Sequence, residues 1–286
     1  MPLDSTIVGQ RSKSFTHDVD ARWIMAYAAS LGDTQTAYFD TQSGGVIAHP
    51  LFPVCLEWPV ILDCATIPGS ETVTPDERAR SVHAAHDLHI VRPIRAGEKL
   101  TTQATIIGIN QIRPGAAQTL RLDTTDEAGE LVCRTYQLSI SRGVDVLGEV
   151  HASETPPETP RFESVEEDNA CRIQMPVAAG TAHTYSECAR IWNPIHTDRQ
   201  IALAAGLPDI ILHGTATLAL AVSRLVDEVV GSPERVRRIG GRFSAMVLMP
   251  SVLTLVIQAR QPGMVGFCVL TEDGQTAFSN GFLCFD

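Results

Sequence analysis

The chain reads as an α+β fold in which a long helix followed by an antiparallel sheet occurs twice. Three observations lead there. Apolar residues recur at helical spacing early in each half and at period two later in each half. A stretch from about Gly143 to Asn169 is rich in proline and acid, which disfavours helix and sheet alike and divides the chain into near-equal parts. The two parts also share patterns in the same order. Glu127-Ala-Gly129 leading into Leu131–Ile140 lies over Glu272-Asp-Gly274 leading into Thr276–Phe285, and Ile47-Ala-His49-Pro50 lies over Ile211-Leu-His213-Gly214. The expected organisation is a first domain over 1–145, a linker over 146–169 and a second domain over 170–286.

Each element has a local reason. Trp23, Ile24, Tyr27 and Leu31 share a face, predicting a helix over Val19–Leu31. The apolar run Leu51–Ile67 is roughly helical, although Pro53 and Pro59 would distort it. Alternation predicts strands at Val82–Pro93, Leu100–Asn110, Gln118–Thr124 and Leu131–Ser141. In the second half a short helix is expected over His196–Ala205. A longer one is expected over Thr215–Val230, with Leu218, Val222, Leu225 and Val229 on one face. Strands follow at Arg242–Met249, Val252–Arg260, Gly263–Leu270 and Thr276–Phe285. The simplest packing curls each sheet around its own long helix and pairs the two sheets edge to edge.

Composition narrows the function. The chain has 286 residues, 44% hydrophobic and 19% charged, enough for a sizeable core. Its net charge of −11 comes with no basic block, which argues against nucleic acid as a partner. The seven cysteines form no C-x-x-C pair and are odd in number, which reads as free thiols in a reducing cytoplasm. No apolar run approaches the ~18–20 residues of a membrane span, and Met1–Asp20 has no apolar signal core.

The chemistry concentrates in Trp192-Asn193-Pro194-Ile195-His196-Thr197-Asp198, with His213-Gly214-Thr215 starting seventeen residues after His196. An imidazole with a pKa near ~6.5 can accept and return a proton at neutral pH. A glycine at a helix start lets a carbonyl approach free N–H groups at the positive end of the helix dipole. Asn193-Pro194 is also ordinary turn chemistry before a helix. Tyr185 and Trp192 read as pocket wall or core.

These residues resemble the MaoC-like, hotdog-fold (R)-specific enoyl-CoA hydratases, also called hydratase 2. The resemblance rests on Tyr185, Asn193-Pro194-Ile195-His196-x-Asp198, Ala205-Gly206-Leu207-Pro208 and Ile211-Leu212-His213-Gly214-Thr215-Ala216-Thr217. In the first half, Tyr27-Ala28-Ala29-Ser30-Leu31-Gly32 and Arg92-Pro93-Ile94-x-Ala96-Gly97 resemble the family's N-terminal partner domain. The resemblance implies a double hotdog: two antiparallel sheets, each wrapped around a long central helix, with one active half and one degenerate half that helps hold the acyl chain. It also implies syn addition of water across a trans-2-enoyl thioester, or the reverse. In that reading His196 is the acid or base, Asn193 orients water or the histidine, and the Gly214 N–H binds the thioester oxygen. Arg190, His213 and Thr215 are the substrate-binding candidates. No cofactor or metal is implied. The substrate is an acyl-CoA or acyl carrier protein thioester, and two hotdogs in one chain already make the usual dimer unit, with a homodimer of such chains as the further expectation.

One departure bears on activity. The family pattern is Gly-Asp-x-Asn-Pro-x-His, whereas this chain has Arg190-Ile191-Trp192-Asn193-Pro194-Ile195-His196, so Ile191 stands at the carboxylate position. A positioned acid or base is typically worth ~10²–10⁴ in rate. Glu187 and Asp198 are the candidate substitutes. Arg190 is an alternative contact for a carboxylated substrate or a phosphate. Two other functions share the residues: a non-catalytic acyl-CoA binder and a hotdog thioesterase. His83, His86 and His89 fall in a predicted strand, His83 and His89 on one face and His86 on the other, which does not favour a metal site. The basic segment Glu234–Arg238 reads as a solvated loop or an anchor for CoA phosphates.

Overall fold

The alternating segments form one continuous sheet. In the computed structural model, which describes residues 2–42, 44–70, 73–74, 77–78, 80–163 and 170–286, the strands are β1 (Leu3–Asp4), β2 (Phe15–Val19), β3 (Ser81–Ile90), β4 (Glu98–Ile112), β5 (Gly115–Thr125), β6 (Leu131–Arg142), β7 (Val146–Leu147), β8 (His151–Ala152), β9 (Cys171–Val177), β10 (Val236–Phe243), β11 (Ser251–Gln261), β12 (Met264–Leu270) and β13 (Thr276–Phe285). The helices are α1 (Ala21–Ser30), α2 (Thr36–Phe39), α3 (Pro53–Asp63), α4 (Thr181–Ala189), α5 (Arg199–Ala204) and α6 (Gly214–Leu225). Most of the acid-rich run expected at 163–168 lies outside the described residues.

The sheet order is β2-β4-β5-β6-β3-β10-β13-β12-β11-β9, with β8 on β4 and β1 and β7 as a separate parallel pair. Read inward from its two edges, the main sheet repeats one order, β2-β4-β5-β6-β3 and β9-β11-β12-β13-β10. The repeat suspected from short patterns is therefore a repeat of topology. The halves meet at an antiparallel seam, β3 on β10, running from His89↔Arg238 to Ala85↔Arg242. Gly240 is placed at this seam by sterics: a Cβ there would lie 2.4 Å from the Phe282 ring and 2.7 Å from the His86 carbonyl oxygen.

Several boundaries differ from expectation. The first helix starts at Ala21, because the Asp20 carboxylate accepts from Trp23 N at 2.7 Å and Val19 closes β2. That strand is a short edge strand of mixed burial, a weak signal in one sequence. Pro53 sits in the first turn of α3, where a missing N–H leaves no helical bond unmade, so the helix forms despite Pro59 inside it. The segment 196–205 divides in two: a 3-10 turn Pro194–His196, then α5 capped by Asp198. The strand expected at Arg242–Met249 lies earlier: β10 runs Val236–Phe243, and of the expected span only Arg242 and Phe243 belong to it, with Leu248 in an isolated bridge to Ile211. The Glu234–Arg238 segment is thus not a solvated loop. Arg238 forks onto Asp87 at 2.8 and 2.7 Å, Arg237 pairs with Asp286, and Glu234 pairs with Arg95 at 3.1 Å. These charges hold the seam and the C-terminus.

His83, His86 and His89 do lie on a strand, but a bulge between His83 and Ala85 reverses the alternation. His83 and His86 therefore share the inner face, with ring centroids 5.4 Å apart, while His89 faces outward against Tyr136 at 5.7 Å. One apolar core joins the halves, from Trp23, Tyr27 and Phe52 through Tyr185 to Leu218 and Phe278. Burial of such side chains is worth ~1.5–3 kcal/mol each. The core is bolted across by Trp23 Nε1–H donating to the Cys188 carbonyl at 2.9 Å.

Candidate active site

The site forms where three local structures meet. Helix α4 ends at Arg190, which takes the left-handed conformation at φ 57° and turns the chain inward at buried Ile191. Asn193 then caps the 3-10 turn, its Oδ1 accepting from Ile195 N at 3.5 Å, with Pro194 supplying a preset φ. This short turn carries His196. On the other side, Ile211 bridges Leu248, and Leu212 N donates to the Val247 carbonyl at 2.9 Å. That extended piece delivers His213 and then Gly214, the first residue of α6.

The imidazoles meet face to face. His196 and His213 have ring centroids 3.7 Å apart at 26°. His196 Nδ1–H donates to the Ile211 carbonyl at 2.8 Å, which sets the tautomer and leaves Nε2 as the lone pair. His213 Nε2 pairs with Ser186 Oγ at 3.1 Å. Burial lowers the His196 pKa to about 4 against the raising effect of the Ile211 bond. Burial, and next the neighbouring His196, hold His213 well below the usual histidine range. Both rings are neutral at neutral pH, as a stacked pair requires.

No side chain caps the start of α6. Helix geometry leaves the first N–H groups there without intrahelical acceptors. Glycine is needed at 214 because a Cβ would lie 2.9 Å from Phe243 Cδ1. Thr215 Oγ1 accepts from Tyr185 Oη at 3.2 Å, and Tyr185 Oη lies 3.3 Å from Tyr27 Oη, so a hydroxyl chain crosses between the halves.

The structure thus brings together Asn193, His196, His213, Gly214 and Thr215. It does not bring Arg190 into the group: its guanidinium carbon lies 3.7 Å over the Trp23 ring. Asp198 is engaged as the cap of α5, accepting from Gln200 N at 2.9 Å and Ile201 N at 3.2 Å. Glu187 is exposed on α4. Neither acid is joined to His196.

One residue escaped the sequence reading. Gly32 at φ 66° ends α1 as Arg190 at φ 57° ends α4. Asp33 N donates to the Ala28 carbonyl at 3.1 Å as Ile191 N donates to that of Ser186 at 3.1 Å. Asp33 is therefore the first-half counterpart of Ile191, Gln35 of Asn193 and Tyr38 of His196. The signal was present as Gly32-Asp33-x-Gln35-x-x-Tyr38, hidden because Gln35 and Tyr38 replace the residues that draw the eye. Asp33 does not replace the missing carboxylate. It borders Ser223 and Asp227, and Ser223 is nine residues along α6 from Gly214, roughly 13–14 Å of helix.

Fold and site together define a double hotdog protein of the hydratase–dehydratase class. Residues 161–269 match the family described as MaoC like domain, and residues 6–135 match the one described as FAS1-like, dehydratase domain region. The chain is 26% identical to 3-hydroxyacyl-thioester dehydratase Y of Mycobacterium tuberculosis over 93% of this chain and 91% of that protein. It is 28% identical to the peroxisomal enoyl-CoA hydratase 2 of Arabidopsis thaliana over 58% of this chain and 56% of that protein. A MaoC-like dehydratase from Phytophthora capsici matches its fold with a TM-score of 0.81 at 20% identity, covering 98% and 97% of the two chains. The second half thus carries a MaoC like domain and the first a FAS1-like dehydratase region, and relatives that span the chain are acyl-thioester dehydratases, with solved neighbours of double hotdog fold.

Proposed function

We propose that this protein is a reversible hydratase–dehydratase of acyl thioesters, the substrate carried on CoA or an acyl carrier protein, with His196 as its single proton carrier. We read α3 and α6 as the central helices around which the two half-sheets curl. The observation that carries the proposal is His196 Nδ1–H held on the Ile211 carbonyl at 2.8 Å beside the uncapped start of α6. In dehydration of a 3-hydroxyacyl thioester, Nε2 takes the proton from C2. Charge develops on the thioester oxygen, where the Gly214 N–H and the helix end stabilise it. The C2 electrons then form the double bond, the C3–O bond breaks, and the same imidazolium returns the proton to the departing hydroxyl as water. A syn reaction keeps both proton positions on one face, so one group can serve them in turn. With burial lowering its pKa to about 4, the ring is a strong acid toward the departing hydroxyl and a weak base toward C2, so the first step leans on stabilisation of the charge on the thioester oxygen. Asn193 steadies the turn and orients the water. The domain reading places this machinery in 170–286 and the degenerate half in 1–145.

The test follows loss of conjugated absorbance in a panel of trans-2-enoyl-CoA thioesters. Wild type is expected to turn over, and His196→Ala to lose about 10²–10⁴ in rate. A buried Ile191, 6% exposed, favours a second reading, a thioester binder without catalysis. Binding by calorimetry with no turnover on any substrate would establish that reading instead.

A further inference from the structure

Three hydroxyls run from the first half to the start of α6, and their protons can be followed one at a time. Tyr185 Oη donates to Thr215 Oγ1 at 3.2 Å. That uses its only proton, so toward Tyr27 Oη, 3.3 Å away, it can only accept. Tyr27 therefore aims its proton at Tyr185 in preference to the Leu51 carbonyl at 3.5 Å. Both tyrosines are fully buried, and burial raises both pKa values well above the tyrosine range, so both hydroxyls keep their protons. The chain from Tyr27 through Tyr185 to Thr215 has a single direction.

Its last proton has no acceptor. Thr215 accepts from Tyr185, and among the described residues nothing accepts from Thr215. Thr217 shows the ordinary alternative in a helix, its Oγ1 donating back four residues to the His213 carbonyl at 3.4 Å. The corresponding carbonyl for Thr215 is that of Ile211, which is engaged by His196 Nδ1–H at 2.8 Å. Gly214 and Thr215 are half-buried and keep accessible surface, whereas the two tyrosines behind them have none. The chain thus ends one residue from the Gly214 N–H. Its middle member packs on the imidazole pair, with the Tyr185 and His213 ring centroids 5.0 Å apart.

A hydroxyl whose oxygen is held by a donor must point its proton elsewhere, which fixes its direction before a ligand arrives. Successive hydrogen bonds also polarise one another. Such a proton suits an oxygen that gains negative charge. On the hydratase reading above, that oxygen belongs to the thioester, and the first step leans on its stabilisation because His196 is a weak base and Ile191 supplies no second group. We propose that the Thr215 hydroxyl is a second donor to the thioester oxygen beside the Gly214 N–H, and that Tyr185 and Tyr27 are positioning residues that aim it. The first half then takes part in the reaction through Tyr27.

Infrared difference spectra of bound butanoyl-CoA, labelled with carbon-13 at the thioester carbonyl, read the hydrogen bonds to that oxygen whether or not the protein turns over. The expected result is a carbonyl stretch moved to lower frequency in wild type, a smaller shift in Thr215→Val, and its return in Thr215→Ser, which keeps the hydroxyl. Tyr185→Phe and Tyr27→Phe keep their rings and should each lose part of the shift. In turnover of enoyl thioesters, Thr215→Val should lose about 10²-fold in kcat, the scale of one oxyanion donor, with KM changed by less than about threefold. Tyr185→Phe should lose about tenfold in kcat alone, and nothing further when added to Thr215→Val, because it acts through that hydroxyl. The double variant also leaves no orphaned Tyr185 proton, which guards against misfolding of Thr215→Val. A carbonyl frequency indifferent to Thr215→Val, or tyrosine and threonine losses that multiply, overturns the proposal. A Thr215-dependent shift without turnover on any substrate rejects only the hydratase reading. Turnover with a Thr215-independent shift rejects only the second donor.

Discussion

Ile191 defines how His196 must work. It is buried and apolar beside the stacked imidazoles, so proton traffic falls on one ring whose partner, His213, is held neutral by burial and by that ring. Ile191→Asp should raise kcat/KM on enoyl thioesters by about tenfold to a hundredfold, part of what a second acid or base supplies. It should also lower the melting temperature, because an apolar buried side chain is exchanged for one with costly desolvation. Unchanged turnover in a folded variant would show that the second carboxylate has no part in this chemistry. Asn193 and His196 were legible because their spacing is set by a local turn. The engagement of Arg190 with Trp23 was not, since its partner lies in the other half of the chain.

At the scale of elements, caps and seams explain residues that a motif alone would misassign. Asp198 looks like a catalytic substitute in sequence and is an N-cap in space. Asp198→Ala should therefore cost about 1 kcal/mol of stability and leave turnover within about threefold of wild type; a collapse of kcat at unchanged stability would return it to the chemistry. The arginines of 235–238 follow the same logic. Their charge suggested a phosphate site, but Asp87 of β3 and Asp286 at the C-terminus supply their partners. The helix and strand periods were readable because each depends on near neighbours. The bulge before Ala85 was not, because it is defined by pairing with β6.

The whole molecule carries a pH signature. Burial lowers the pKa of His49 and His83 to about 3 and of His86 and His196 to about 4, and holds His213 well below its usual range. The unfolded chain, with histidines near ~6.5, binds more protons below that pH, so stability falls as pH drops from 6.5 toward 4. Each such histidine contributes at most about 2 kcal/mol of this loss at pH 5. Glu57 opposes them: burial raises its pKa to about 7, so its contribution is full below about 4.5 and is lost as pH rises through 7. Five histidines outweigh one glutamate, and the melting temperature should be lower at pH 5 than at pH 7. An equal or higher value at pH 5 would mean that these rings are solvated.

By itself the sequence determined the α+β class, the tandem halves and the Asn193-Pro194-x-His196 turn with His213-Gly214. All of these rest on local periodicity, turn chemistry and short spacings. Only the tertiary structure decided that the half-sheets fuse through β3 and β10, that Asp198 and Arg190 are engaged elsewhere, and that Asp33 is the lost counterpart of Ile191, too far along α6 to assist His196. Those facts depend on distances between segments remote in the chain, which packing sets and no local pattern records.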